Sequence, residues 1–342
     1  MHLRKRLPAA LASSGFRRLF SVRLAAQFGD GVFQAGLAGS VLFNPERQAS
    51  AADLAAGFAV LLLPYSVIGP FAGVLLDRWD RRRVLAFGGV IRAVLVLAVA
   101  GEIAAGVTGV AFYASALVVL SFSRFTLSAL SASLPHVVEP DELAAANALS
   151  STVGGLATTL GGAAAALGRL MTGSNSVGYA VLAGAAALPY VVSAVAARTT
   201  AERSLGPDDF ERASRQTAGE VVRGLRAGVA HLRSRPTGAA ALSALAVHRL
   251  CYGIWAVCAV LLYRNWFVGE GMLRAGLAGL AQFVVAGALG GGLAALITPR
   301  RIRRGGPVGW ISLLLAAAGL VILSCALPFR LPLFLLAGGT AG

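Results

Sequence analysis

Charge is what this chain has least of. Only 13% of its 342 residues are charged, against 57% hydrophobic, where a soluble domain carries about a quarter charged residues. So small a polar share cannot keep a chain of this length in water, which excludes an ordinary soluble domain. Lysine is nearly missing: Lys5 stands alone. A phosphate-cradling P-loop needs a lysine directly after its glycines, so ATP hydrolysis by that route is excluded for this polypeptide. Cysteine is scarce too. Cys251 and Cys258 share one apolar run, about 10 Å apart along a helix and too far to bridge, and Cys325 is isolated. No C-x-x-C, His-x-x-x-His, paired-carboxylate or nucleophile-elbow spacing occurs, so no disulfide, metal, cofactor or enzyme centre is expected.

What the chain does have is arginine, set in short groups between long apolar runs, and a net charge of +15. A nucleic-acid protein gathers its basic residues with aromatics on one face. Here they punctuate hydrophobic segments instead, so the charge reads as membrane topology and not as a nucleic-acid partner. Ten apolar stretches are candidates for spans: about 19–43, 54–76, 84–106, 109–134, 143–169, 177–197, 237–263, 273–298, 307–327 and 331–342. A span needs about 20 residues. The stretch at 331–342 would reach only about 18 Å, so the chain is expected to stop inside a helix, as a fragment or with its C-terminal part truncated. The basic N-terminus precedes an apolar run too long for a signal peptide and is read as leading into a first transmembrane helix.

Arginine placement sets the orientation. With the N-terminus inside, the cytoplasmic segments hold Arg4, Lys5, Arg6, Arg17 and Arg18, then Arg78 and Arg81 to Arg83. They also hold the arginines of the 198–236 loop and those at Arg300 to Arg304. The outer segments hold only Arg47, Arg264, Arg274 and Arg330. The expected organisation is a six-helix transmembrane bundle over 1–197, a cytoplasmic loop over 198–236 and a second, incomplete bundle over 237–342. In that loop Thr217 and Glu220 have capping-box spacing. Val221, Leu225, Val229 and Leu232 form one stripe, with Arg223, Arg226 and Arg233 off it. This predicts an amphipathic helix, either lying on the inner membrane surface or tying two bundles together.

The turn between the second and third spans reads Gly73-Val-Leu-Leu-Asp77-Arg78-Trp-Asp80-Arg81-Arg82-Arg83. It resembles the signature loop G-x-x-x-D-R-x-G-R-R of the major facilitator superfamily, with Asp80 in place of the second glycine. A weaker copy follows the eighth span, at Gly292 with Arg300, Arg301, Arg303 and Arg304, without the aspartate. The resemblance implies an all-α polytopic fold built of two related six-helix halves, here with an incomplete C-terminal one. Asp77 would sit at a helix C-terminus, where the dipole disfavours an anion. In the family its partner is helix eleven, which this chain is expected to lack. The resemblance assigns gating to Gly73, Asp77, Arg78, Arg81 and Arg82. Gln27-Phe-Gly-Asp30, Leu134-Pro135 and Ala146-Asn147-Ala148 resemble the drug, macrolide and siderophore exporters. The Gly-Pro-x-x-Gly-Gly element usual in span five of such antiporters is replaced by Gly161-Gly162 and a run of alanines.

Ionisable groups at mid-membrane cost roughly 3 kcal/mol or more and are functional suspects. Counted from the inner end of each span, Asp30 is roughly 16 Å deep, Arg92 roughly 12 Å, Arg124 roughly 15 Å and Arg249 roughly 18 Å. Gln27 and Gln34 share the face of Asp30. Ser121, Ser128 and Ser131 share that of Arg124. Asp30, Arg92 and Arg124 are therefore expected to converge on a wet cavity, with Gln27 and Gln34 beside them. Asp30 and Arg92 could equally be a pair that only holds helices together. Arg124 also resembles the arginine of span four linked to proton coupling. Arg23 is expected to snorkel to the inner surface, and Glu102 and Arg169 to be structural. His248, Tyr252 and Trp255 form a stripe expected to pack. On span five Asn147, Ser151, Gly154, Thr158, Gly161 and Ala165 form a small-residue face suited to close helix approach.

These features predict a multi-pass secondary transporter of the plasma (inner) membrane, most simply a proton-coupled exporter of a small drug-like, macrolide-like or siderophore-like molecule. The alternative is a membrane subunit served by a separate ATPase, or a truncated remnant that does not transport.

Overall fold

The computed structural model describes residues 13–43, 78–201, 205–208, 218–265 and 309–320, with scattered positions within 72–76, 282–301 and 323. The predicted spans at 54–76, 273–298 and 331–342 fall wholly or largely outside the described residues, as do Gly73, Asp77, Arg300, Arg303 and Arg304.

Among the described residues the regular structure is helical, with no strand. Helix α1 covers Ser14–Ala38 and ends in a π turn, Gly39–Phe43. It starts five residues before the apolar run because the Ser13 hydroxyl accepts from the Phe16 N–H at 3.3 Å, capping a first turn that is polar on its outer side. Helix α2 covers Arg81–Ala104 and α3 covers Val110–Ser133, closed by a 3₁₀ turn at Leu134–His136 where Pro135 stops the α-helical ladder. Helix α4 is Leu143–Thr172. The next span is broken at Ala186 into α5, Ser176–Ala185, and α6, Ala187–Arg198. Pro189 explains the break, since it has no N–H to give the carbonyl four residues back. Helix α7 is Ala218–Arg233 and α8 is Pro236–Asn265.

Four of these helical segments are long and apolar enough to cross a bilayer: Arg81–Ala104, Val110–His136, Ser176–Arg198 and Pro236–Leu262. Helices α1 and α4 have the length. They fall short in apolarity because α1 carries Arg17, Arg18, Arg23 and Asp30, and α4 is rich in glycine, serine and threonine. The helices turn large apolar side chains outward, with Val94 62% and Leu188 70% exposed, while Arg81 and Arg92 are fully buried. That inversion suits a hydrocarbon solvent.

The chain divides into two compact units, Met1–Ala241 and Leu242–Gly342. In the first, α1 packs along α4 and against α5 and α6, while α2 packs on α3, α5 and α6. The α1–α4 contact depends on glycine. A Cβ on Gly161 would strike the Phe28 carbonyl, and one on Gly31 the Thr158 carbonyl. Gly154, Gly161 and Ala165 of the predicted small-residue face are all buried. Helix α7 is exposed along nearly its whole length, including Val222, Leu225 and Val229. In the second unit, Ala259 and Val260 of α8 are buried, His248 is half-buried and Arg249 is exposed. There too the Arg301 guanidinium lies 5.9 Å from the Trp310 ring centroid.

Candidate functional site: a buried charge cluster in the first unit

Four helices bring four polar side chains to one point inside the first unit. Asp30 of α1 is 3% exposed; Arg92 of α2, Ser123 of α3 and Tyr190 of α6 are not exposed at all. Asp30 Oδ1 accepts from the Ser123 hydroxyl at 2.7 Å, the Tyr190 hydroxyl at 2.8 Å and Arg92 Nη1 at 3.4 Å. All three bonds end on the same oxygen. Arg92 is held further by the Gly88 carbonyl, which accepts from Nε at 3.3 Å, and by the Tyr190 ring, whose centroid is 4.3 Å from the guanidinium carbon. Its Nη2 is buried without a hydrogen-bond partner. Burying an ion pair is tolerable only when further hydrogen bonds replace lost hydration, and the two hydroxyls and the carbonyl do that here.

The predicted three-way cluster is thus a pair with two hydroxyls. Arg124 is not among the groups bonded to Asp30. Its neighbour Ser123, about 100° round the helix, faces that side, and Arg124 is half-buried. Ser123 carried no signal of its own in the sequence, where its neighbour Arg124 stood out. Tyr190 lay hidden in an apolar run, its one signal being the adjacent Pro189. Gln27, one turn below Asp30 on α1, has Nε2 3.5 Å from the Thr158 hydroxyl, while its buried Oε1 has no partner. Gln34 is half-buried one turn above.

Arg23 departs from its expected place. It does not snorkel: it is 7% exposed and reaches into the bundle, where Nη1 donates to Ser150 at 2.7 Å and Nη2 to Ser131 at 3.2 Å. The reason is its face. Arg23 is seven residues before Asp30, two turns on the same side of α1, so its side chain enters the helix seam that holds Gln27 and Asp30. Glu102 accepts from Ser115 at 2.8 Å, joining α2 to α3 in a structural contact.

At the arginine-rich end of the unit, the loop residues act as helix caps and latches. Asp80, standing where the related loops have glycine, caps α2 by accepting from the Arg83 N–H at 3.0 Å. Arg81 is 1% exposed. Its backbone N–H bonds the Gly206 carbonyl at 3.2 Å, and its Nη1 lies 3.0 Å from the Ala132 carbonyl and 2.9 Å from His136 Nε2. Arg82 donates to the Arg198 carbonyl and Arg18 to that of Thr199, each at 2.8 Å. Both cations thereby sit at the negative end of α6. Arg78 is exposed.

The helical bundle shares its fold with solved transporters. The xylose transporter XylE of E. coli, in a partially occluded inward-open conformation, shares this fold with a TM-score of 0.54 at 14% identity, over 96% of this chain and 84% of that one. The peptide transporter POT gives 0.51 at 15% identity, over 96% and 78%. An uncharacterised MFS-type transporter of Mycobacterium tuberculosis is 40% identical over 312 residues, 91% of this chain and 70% of its own length, and its Mycobacterium bovis counterpart matches equally. Macrolide efflux protein A of Streptococcus pyogenes is 33% identical over 112 residues, 30% of this chain and 26% of that protein. The profile of the Major Facilitator Superfamily matches residues 10–342. On sequence and fold together, the chain belongs to the major facilitator superfamily of membrane transporters.

Proposed function

We propose that this transporter is a proton-coupled exporter of a small organic solute, acting in the plasma membrane with its N-terminus in the cytoplasm. One observation carries the coupling. Asp30, buried on α1, takes all three of its donors on Oδ1 and none on Oδ2. A proton added at Oδ2 leaves the Ser123 and Tyr190 bonds in place and removes the charge that holds Arg92. Arg92 then keeps only the Gly88 carbonyl and the Tyr190 ring as partners. A buried cation that loses its counter-charge biases the helices toward a state in which it is solvated or paired anew. Proton binding thereby acts on the packing of α1, α2 and α6 together. The arginine asymmetry along the sequence supports the orientation, and the 112-residue similarity to a macrolide efflux protein supports export.

The test is accumulation of labelled erythromycin in proteoliposomes under an imposed pH gradient, with protein-free vesicles as the baseline. The wild-type chain accumulates the probe with the gradient, and Asp30→Asn stays folded and loses the pH dependence. Accumulation that ignores the gradient in the wild type, or survives unchanged in D30N, overturns the coupling role.

A further inference from the structure

Among the described residues two buried cations stand outside the coupling scheme, Arg81 and Arg23; Arg81 is taken up by the latch at the end of α3, whereas Arg23 lies within the helix seam. Its two amino groups rest on hydroxyls, Ser150 at 2.7 Å and Ser131 at 3.2 Å, and among the described residues no carboxylate lies within ion-pair distance. Its Nε is buried with no partner at all. A guanidinium carries five donors in a planar fork, so the edge formed by Nε and its neighbouring amino group still has hydrogens to give. Asp30 offers no compensation. It is two turns away along α1, about 10 Å, and already holds Arg92, Ser123 and Tyr190. A serine hydroxyl satisfies a hydrogen bond but supplies no countercharge, and an uncompensated buried cation is among the costliest arrangements a protein keeps.

The surroundings are polar as well as buried. Ser150 is buried while Ser131 is exposed, so the guanidinium bridges a buried hydroxyl and an exposed one. Ser131 closes the α3 stripe that starts at Arg124 and passes Ser128, at spacings of four and three residues. That stripe offers polar side chains from Ser131 toward the level of Asp30. On α1, Gln27 follows Arg23 by one turn and leaves its own buried Oε1 without a partner. Two buried polar atoms without partners, one turn apart in the same seam, mark a place where a ligand atom or water belongs.

We propose that Arg23, with Ser131 and Ser150, is an anion subsite that takes a singly charged group, either a carboxylate on the transported solute or a free halide bound with it. The fork geometry favours a carboxylate, which two parallel N–H donors can hold together. Gln27 would meet the remainder of such a solute. The subsite goes beyond proton coupling at Asp30 and does not depend on it, because it is measured by binding, without transport.

The experiment is equilibrium binding of labelled benzoate and labelled chloride to the purified full chain in detergent, by scintillation proximity, alongside thermal unfolding. At least one probe binds saturably to the wild type and raises its unfolding temperature, as any ligand selective for the native state must. Binding of benzoate, with benzamide unable to compete, places the charge on the solute; binding of chloride alone identifies a free anion. Arg23→Gln, which keeps a polar side chain but not the charge, loses at least tenfold in affinity and no longer gains thermal protection. Should Arg23→Gln fail to fold, Arg23→Lys keeps the charge without the fork and weakens benzoate several-fold. Saturable binding of neither probe to the folded wild type, or unchanged affinity in the folded variants, overturns the proposal. Because the readout is binding without transport, failure here and failure of the coupling role are separate results.

Discussion

The Tyr190 hydroxyl donates to Asp30 Oδ1 at 2.8 Å while the ring of the same residue lies 4.3 Å from the Arg92 guanidinium. One side chain thus touches both members of the ion pair by different means, a hydrogen bond to the acid and a cation–π contact to the base. The two contacts can be removed separately. Tyr190→Phe deletes the hydroxyl and leaves Asp30 with two donors, so about 1–2 kcal/mol is lost. Tyr190→Ala removes the ring as well and opens a cavity, at about 3–5 kcal/mol. Unfolding in detergent followed by tryptophan fluorescence measures both; equal losses for the two variants would show that the ring does nothing for Arg92.

Removing either charge alone is expected to cost more than removing both. Arg92→Gln leaves a buried carboxylate with two hydroxyl donors, and breaking a buried pair costs about 3–5 kcal/mol. Combining Arg92→Gln with Asp30→Asn replaces the ions by neutral amides of similar shape and recovers at least about 2 kcal/mol of that loss. A thermodynamic cycle on the four proteins gives the coupling energy directly. Strict additivity would mean that the 3.4 Å approach contributes nothing.

The seam between α1 and α4 tolerates no added volume at Gly161. A Cβ there meets the carbonyl of Phe28, backbone that cannot rotate away. Gly161→Val therefore destabilises by about 3 kcal/mol, at the upper end of the ordinary cost of overpacking, and lowers the yield of folded protein. Gly155 supplies the control on the same helix, since nothing lies within 4 Å of its Cβ position. Gly155→Ala is neutral or gains about 0.5–1 kcal/mol from reduced chain entropy. A reversed order, measured by the fraction of protein surviving detergent extraction and heating, would refute the close approach.

Much of this arrangement was written in the pattern of apolar runs and in the intramembrane charges. The bounds of α2, α3, α4 and α8 follow the hydrophobic stretches to within about three residues, because a span is fixed by length and polarity alone. Asp30 and Arg92 were legible as mid-membrane charges of opposite sign, and they do meet. Depth along a helix carries no information on azimuth between helices, however. Hence Arg124 was expected where its neighbour Ser123 in fact turns toward Asp30, and Tyr190 was not expected at all. Arg23 was misplaced because its depth was counted from the start of the apolar run. The Ser13 cap extends α1 backward, and the seven-residue interval to Asp30 puts Arg23 in the same polar column as Gln27. That interval was the available signal.

The turn before α2 offers a test of how this chain departs from the family loop without losing its geometry. Asp80 takes the place of a glycine and accepts from the Arg83 N–H at 3.0 Å, with φ −59° and ψ 114°. Its backbone is therefore in a region open to any residue, and the side chain supplies what a cap requires, an oxygen on one of the first unsatisfied N–H groups. The negative charge also suits the positive end of α2. Asp80→Gly, which restores the family residue, should thus lose only a few tenths of a kcal/mol, whereas Asp80→Ala loses about 1 kcal/mol. The next residue behaves differently. Arg81 is buried, and its Nη1 spans the Ala132 carbonyl and His136 on α3 and its 3₁₀ turn. Arg81→Ala leaves acceptors at the end of α3 without their donor and removes a cation from a helix C-terminus, a loss of about 2 kcal/mol or more. Hydrogen exchange localises it: faster exchange in the Leu134–Val138 segment and at the start of α2 is expected for Arg81→Ala. For Asp80→Ala the change is confined to the first turn of α2. Equal exchange in both segments for the two variants would mean that cap and latch are one cooperative unit, and that Arg81 does not act on α3 by itself.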